Sequence, residues 1–140
     1  MLYSLNRWEN LDKLQETLGT AAYVVADRYS PSNLAYGVSR GLPLDWLEGL
    51  DRGLPRSDLV IILDVPVQFS LHRKLTNRDI HESDERLLTK VRRTYKVLAR
   101  KLDWMTVDGT RNVSDVESTI WNIVRRRFRR LNTPGTLSRN

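Results

Sequence analysis

The sequence predicts an α/β fold in which short apolar strands alternate with amphipathic helices. Two runs carry most of that expectation. Residues 21–26 (AAYVVA) and 59–63 (LVIIL) are short, apolar and rich in β-branched side chains, the composition of strands covered on both faces. A weaker third run spans 104–107 (WMTV). Helical patterns fill the intervals, and such alternation implies a parallel sheet with right-handed crossovers.

Taken in order, Trp8, Leu11, Leu14 and Leu18 recur at helical spacing and Gly19 stands as a C-terminal stop. The chain therefore opens on an amphipathic helix, with residues 1–5 as its earlier turns. After strand 21–26 come a helix over 32–40, strand 59–63 and a helix over 67–75. A long helix follows, on which Leu88, Val91, Tyr95, Leu98 and Leu102 share a face, and then strand 104–107. The last helix is signalled by Ser114 and Glu117 in capping-box spacing and by a stripe of Val116, Ile120, Ile123 and Val124. Residues 132–140, rich in Thr, Pro, Gly and Ser, read as a disordered tail.

At 140 residues and 40% hydrophobic, the chain is the size of one domain. It holds no apolar stretch of about twenty residues, as a membrane span requires, and no charged-then-apolar leader, so a soluble, cytoplasmic protein without a membrane partner is expected. The absence of cysteine excludes disulfides, thiolate metal sites and a cysteine nucleophile. The two histidines, His72 and His81, make a poor metal site. A net charge of +6 favours anionic partners: nucleotides, nucleic acid or acidic lipid. Much of the excess lies in Arg125, Arg126, Arg127, Arg129 and Arg130, where a solvated basic helix end is a stronger reading than a binding patch.

Ligands of open parallel sheets bind beyond the carboxyl ends of the strands. The first strand runs into Asp27, Arg28 and Tyr29, then Ser32, Asn33 and Tyr36, and the second runs into Asp64 and Pro66. Arg28 can grip two phosphate oxygens in a fork, while Asp27 can orient it or hold hydrated magnesium. A structural Asp–Arg pair tying strand to loop is the competing reading.

The wider string, Asp27-Arg28-Tyr29, Ser32, then Ala35-Tyr36, resembles the signature of the thymidylate kinase family. LYSLNRWE resembles that family's base-binding segment, SDLVIILDVP its fourth strand, and LHRKLTNRD with ERLLTKVRRTYKVLA its lid and following helix. The resemblance covers roughly residues 1–124. It implies a P-loop kinase-like sheet lacking the first two strands of the family, with a partial domain over 1–131: a nucleoside monophosphate site over 1–45, a lid over 72–84 and a C-terminal helix over 113–131. It further implies phosphoryl transfer from ATP to dTMP, giving dTDP, with Mg2+. Tyr3 would stack on the base and Arg7 contact it, Arg28 grip the phosphate, and Asp27 sit near the magnesium through water. Ser32 would approach the base edge, Tyr36 would pack under the deoxyribose and Tyr95 would close the pocket. Arg73 and Arg78 of the lid would neutralise charge during transfer, with Lys74 reading better as a solvated end. Tyr3 departs from the phenylalanine more usual in the family, and either ring can stack.

A kinase of this class cradles ATP with a G-x-x-x-x-G-K-[ST] loop, and no such string occurs here. The family's five-stranded sheet, ordered 2-3-1-4-5, would lose its central strand, leaving apolar edges unpaired. The sequence therefore reads as a fragment or a late-assigned start, inactive alone, with a missing N-terminal segment as a partner in trans. A homodimer is compatible with the family. A non-catalytic nucleotide-binding homologue ranks second. A small basic nucleic-acid-binding protein ranks third, because only Phe128 interrupts the arginine cluster.

Overall fold

In the computed structural model of the chain, the described residues are 2–69 and 85–128. The expected lid with Arg73, Lys74 and Arg78, both histidines, most of helix 67–75, and the tail all lie outside them. So do residues 129–131 of the expected C-terminal helix.

The elements follow the alternation read from the sequence, with differences that have physical causes. Helices α1 (Leu2–Glu9) and α2 (Leu11–Thr20) replace a single opening helix, broken at Asn10. Asn10 side-chain Nδ2 donates to the Asn6 carbonyl at 2.8 Å, and the indole of Trp8 donates to the Leu50 carbonyl at 2.9 Å. The first bond closes the end of α1 and the second holds it against the body of the protein, whereas α2 buries no residue and continues past Gly19.

Helix α3 (Ser30–Ser39) begins with Pro31 in its first turn, where a missing N–H costs nothing. It packs against α4 (Leu44–Leu50) and against α5 (Glu85–Lys101). The core forms at this junction. Leu34 and Ala35 of α3, Leu47 of α4 and Leu98 of α5 are buried together, with Val38, Leu44, Leu50, Tyr95, Leu102 and Trp104 packed around them. Close approach of α3 and α4 depends on Gly37, since a Cβ there would lie 2.5 Å from Leu47 Cδ1.

Strand β1 (Ile61–Asp64) pairs in parallel with β2 (Met105–Asp108), Ile61 opposite Met105 and Asp64 opposite Asp108. Both strands fall within a residue or two of the expected runs, and the crossover through α5 gives the mixed α/β architecture. Helix α6 (Val113–Arg127) closes the described chain. Its N-cap is Asn112 rather than Ser114: Asn112 Oδ1 accepts from the Asp115 N–H at 2.8 Å, and its amide donates to the Asp115 carboxylate at 2.9 Å. The reciprocal pairing is of capping-box type, shifted two residues upstream.

The largest correction concerns residues 21–26. They form no strand and pair with no other element; the whole run is exposed, Val25 at 95%. A β-branched apolar run becomes a strand only when neighbours supply its ladder and cover its faces, and β1 and β2 pair only with each other. One ring contact reaches the run: Tyr23 meets Phe128 edge-on, centroids 5.5 Å apart. Because Val25 is 95% exposed, Val25→Lys should leave the unfolding midpoint unchanged while reducing concentration-dependent association, since a charge on an apolar segment opposes edge pairing. Light scattering beside a thermal melt checks both, and a large fall in the midpoint would mean that Val25 is packed.

Candidate functional site

Several of the residues singled out in the sequence lie on or beside α3. Arg28 has φ of 61°, a left-handed conformation unusual for a residue with a side chain. This backbone reverses the chain between run 21–26 and α3, and the guanidinium carbon comes to 5.8 Å from the centroid of the Tyr36 ring, within cation–π range. One turn before Tyr36, the Ser32 hydroxyl accepts a hydrogen bond from Tyr95 of α5 at 3.0 Å. Burial raises the pKa of the Tyr95 phenol, against the bond with Ser32 and the nearby Arg28 charge. Arg28, Ser32, Tyr36 and Tyr95 thus form one cluster, joined across α3 and α5. Asp27 and Tyr3 are both exposed, Tyr3 one helical turn before Arg7.

Arg7 is held by several hydrogen bonds from one nitrogen. Its Nη2 donates to Asp51 Oδ1 and Oδ2, each at 2.7 Å, and to Ser4 Oγ at 3.0 Å. Ser30 at the start of α3 also donates to Asp51, at 2.7 Å. The guanidinium lies over the Tyr29 ring at 5.6 Å, while the Tyr29 hydroxyl donates to the Pro55 carbonyl at 3.2 Å. Burial raises the Tyr29 pKa, with the Arg7 charge acting the other way. Asn33 donates to Ser4 Oγ at 3.2 Å and so ties α1 to α3. Sequence reasoning missed Asp51, Ser4 and Ser30, because a lone aspartate in a turn carries no spacing that marks it as an arginine partner.

A second polar cluster sits at the carboxyl ends of the strands. Arg92 donates to both oxygens of Asp64, Nε at 2.6 Å and Nη2 at 3.0 Å, and Lys96 adds a contact at 3.2 Å. The Arg92 hydrogen bonds hold the Asp64 carboxyl below its ordinary pKa. In the register partner Asp108, hydrogen bonds from Thr110 lower the carboxyl in the same direction. The sequence singled out Asp64 but not Arg92 and Lys96, whose i, i+4 spacing is their only signal. Among the described residues no group of three or more His, Asp or Glu side chains could hold a metal. Asp64 is already matched by two cations, which leaves Asp27 as the exposed carboxylate beside Arg28.

The profile of the family described as Thymidylate kinase matches residues 1–120. The chain belongs to the thymidylate kinase family. It is 32% identical over 128 residues to the thymidylate kinase of Schizosaccharomyces pombe, covering 89% of this chain and 61% of that one. It is 34% identical to that of Plasmodium falciparum, over 86% of this chain and 57% of the relative. It is 38% identical to a probable thymidylate kinase of Thermococcus onnurineus, over 89% and 62%. The chain thus spans about three fifths of the length of these thymidylate kinases. No helix among the described residues is long and apolar enough to cross a membrane.

The Asp64–Arg92 pair gives a pH test. A carboxylate with a lowered folded-state pKa contributes stability that is fully present above its unfolded value, about 3.9, and is lost as the pH falls through the lower folded value. The pair is partly exposed, so Arg92→Met should cost about 1 kcal/mol or less at neutral pH. The gap between wild type and variant in urea denaturation should stay constant down to the carboxylate range and then close in acid. A gap that widens in acid would contradict the pairing.

Proposed function

We propose that these residues supply the acceptor-nucleotide half of a dTMP kinase. The observation that carries this reading is the convergence of Arg28, Ser32, Tyr36 and Tyr95 along one side of α3, with Arg7 reaching the same helix through Asp51 and Ser30. Arg28 grips the dTMP phosphate, in keeping with its exposed, fork-shaped group of donors beside Tyr36. Ser32 and Tyr95 offer hydroxyls to the base edge and the pocket wall, and Tyr36 gives a ring for the deoxyribose. Tyr3 and Arg7 serve the base, the first by stacking and the second by donating N–H groups. The three relatives named thymidylate kinase or probable thymidylate kinase support the substrate assignment.

ATP is the phosphoryl donor in this reading, and its phosphates require residues other than those described, since none of the sequence forms a Gly-rich loop ending in Lys-Ser/Thr. Magnesium keeps several waters and takes one or two carboxylates together with substrate phosphates; Asp27 fits that role and would hold the hydrated ion, which neutralises phosphate charge. Arg73 and Arg78 are assigned to the same task from the lid. An N-terminal segment carrying the phosphate loop, covalent or in trans, completes the enzyme, and a homodimer is compatible with it.

Two measurements test the proposal. Arg28→Ala should weaken dTMP binding at least tenfold, about 1.4 kcal/mol, in titration calorimetry, with little change for thymidine, which lacks the phosphate. An equal loss for both ligands would remove the phosphate role. In an ATP-dependent assay, the 140 residues alone should form no dTDP, and adding the missing segment in trans should restore turnover. Robust activity from the 140 residues alone would show that ATP is held in another way.

A further inference from the structure

We propose that Asp51 is a positioning residue for nucleotide binding, acting through Arg7; this rests on the assignment of Arg7 to the base end of the dTMP site. Asp51 takes up a single nitrogen of the guanidinium, Nη2, with both carboxylate oxygens at 2.7 Å. An arginine carries five N–H donors, so this one-sided grip anchors one end of the group and leaves other donors for a ligand. Arg7 Nε is buried and has no acceptor among the described residues. A buried donor without a partner costs about 1–3 kcal/mol, and a pyrimidine carbonyl or a bridging water is the kind of group that satisfies it.

The surroundings are built to hold the carboxylate still. The side chains of Arg7 and Asp51 are only 11% and 7% exposed. Ser30 donates to Asp51 Oδ2 at 2.7 Å, so the first turn of α3 steadies the carboxylate that steadies Arg7. On the other side, Gly53 has φ of 107° and sits under the Trp8 ring, 3.0 Å from the place a Cβ would take. That turn delivers Asp51 to α1 while Trp8 donates to the Leu50 carbonyl one residue earlier. The Tyr29 ring, 5.6 Å from the guanidinium carbon and within cation–π range, limits movement of the group on that side. Arg7 is thus held in place before any ligand arrives, which lowers the ordering entropy that binding would otherwise cost.

The test is titration calorimetry of the 140-residue protein with dTMP and with thymidine, on wild type, Asp51→Asn, Asp51→Ala, Arg7→Ala and the Arg7→Ala/Asp51→Ala double variant, each with a thermal melt. Loss of Asp51 should weaken both ligands by the same factor, about tenfold, because a hydrogen-bonded charge pair is removed at the base end. In the Arg7→Ala background the same change should add less than about twofold, the non-additivity expected when one residue acts through another. Asp51→Asn keeps the shape and one acceptor oxygen, so it should fold even if the alanine variant does not, and should lose affinity to a smaller extent. Unchanged affinity in a folded Asp51→Asn together with a lowered melting midpoint would make the residue purely structural and overturn the proposal. A full additional loss in the Arg7→Ala background, or a loss confined to dTMP, would overturn it too. Failure of the wild type to bind dTMP would instead reject the nucleotide-site reading itself, and the role of Asp51 with it.

Discussion

Everything at the site hangs on the packing of α3 against α5. Burying a side chain such as Leu98 or Leu47 stabilises by roughly 2 kcal/mol, more than a solvent-facing ion pair supplies, and Leu34, Ala35, Leu47 and Leu98 bury one another at this seam. The same two helices carry the polar residues above it. Tyr95 belongs to α5 and packs on the core with its ring, while its hydroxyl reaches Ser32 of α3. The hydrogen bond is a consequence of the apolar contact beneath it: a shift of one helix along the other would break both. Arg28 and Tyr36 inherit their placement from the start and the middle of α3, and Asp51 from the turn that ends α4.

The parts of the fold that the sequence made legible are those whose stability is local or rests on a stripe facing that seam. Helix α5 announced itself through Leu88, Val91, Tyr95, Leu98 and Leu102, and it forms over Glu85–Lys101. β1 and β2 lie close to their expected runs because they need only each other. Residues 21–26 carried a strand pattern too and form none, since a strand is a relation between segments and no strand among the described residues pairs with them. The cap of α6 was misread for a smaller reason. Ser114 and Asn112 are both good N-caps, and the sequence alone does not show which hydroxyl or amide the backbone turns toward; Ser114 ends by donating to Asn112.

At the site, legibility followed the motif. Arg28, Ser32, Tyr36 and Tyr95 were readable because they stand in a recognisable string or on an apolar face, and they converge. The partners that hold the charges were not readable. Arg7 and Asp51 are separated by 44 residues, and Asp64 and Arg92 by 28. Only the fold brings such pairs together, so a net charge of +6 conceals how many of its cations are already matched. Arg92 and Lys96 are matched by Asp64, and Arg127 donates to the Asp58 carbonyl at 3.2 Å.

The left-handed backbone at Arg28 sets two demands on one position that no single amino acid meets well. The conformation suits glycine or asparagine, and holding another residue there costs on the order of 1 kcal/mol. The long cation is retained all the same, over the Tyr36 ring. In a randomised library, selection for folding alone would draw position 28 toward glycine, and, on the proposed reading of Arg28 as the phosphate grip, selection for binding would draw it back to arginine. The distance between the two outcomes would measure how much foldability this residue gives up for its charge.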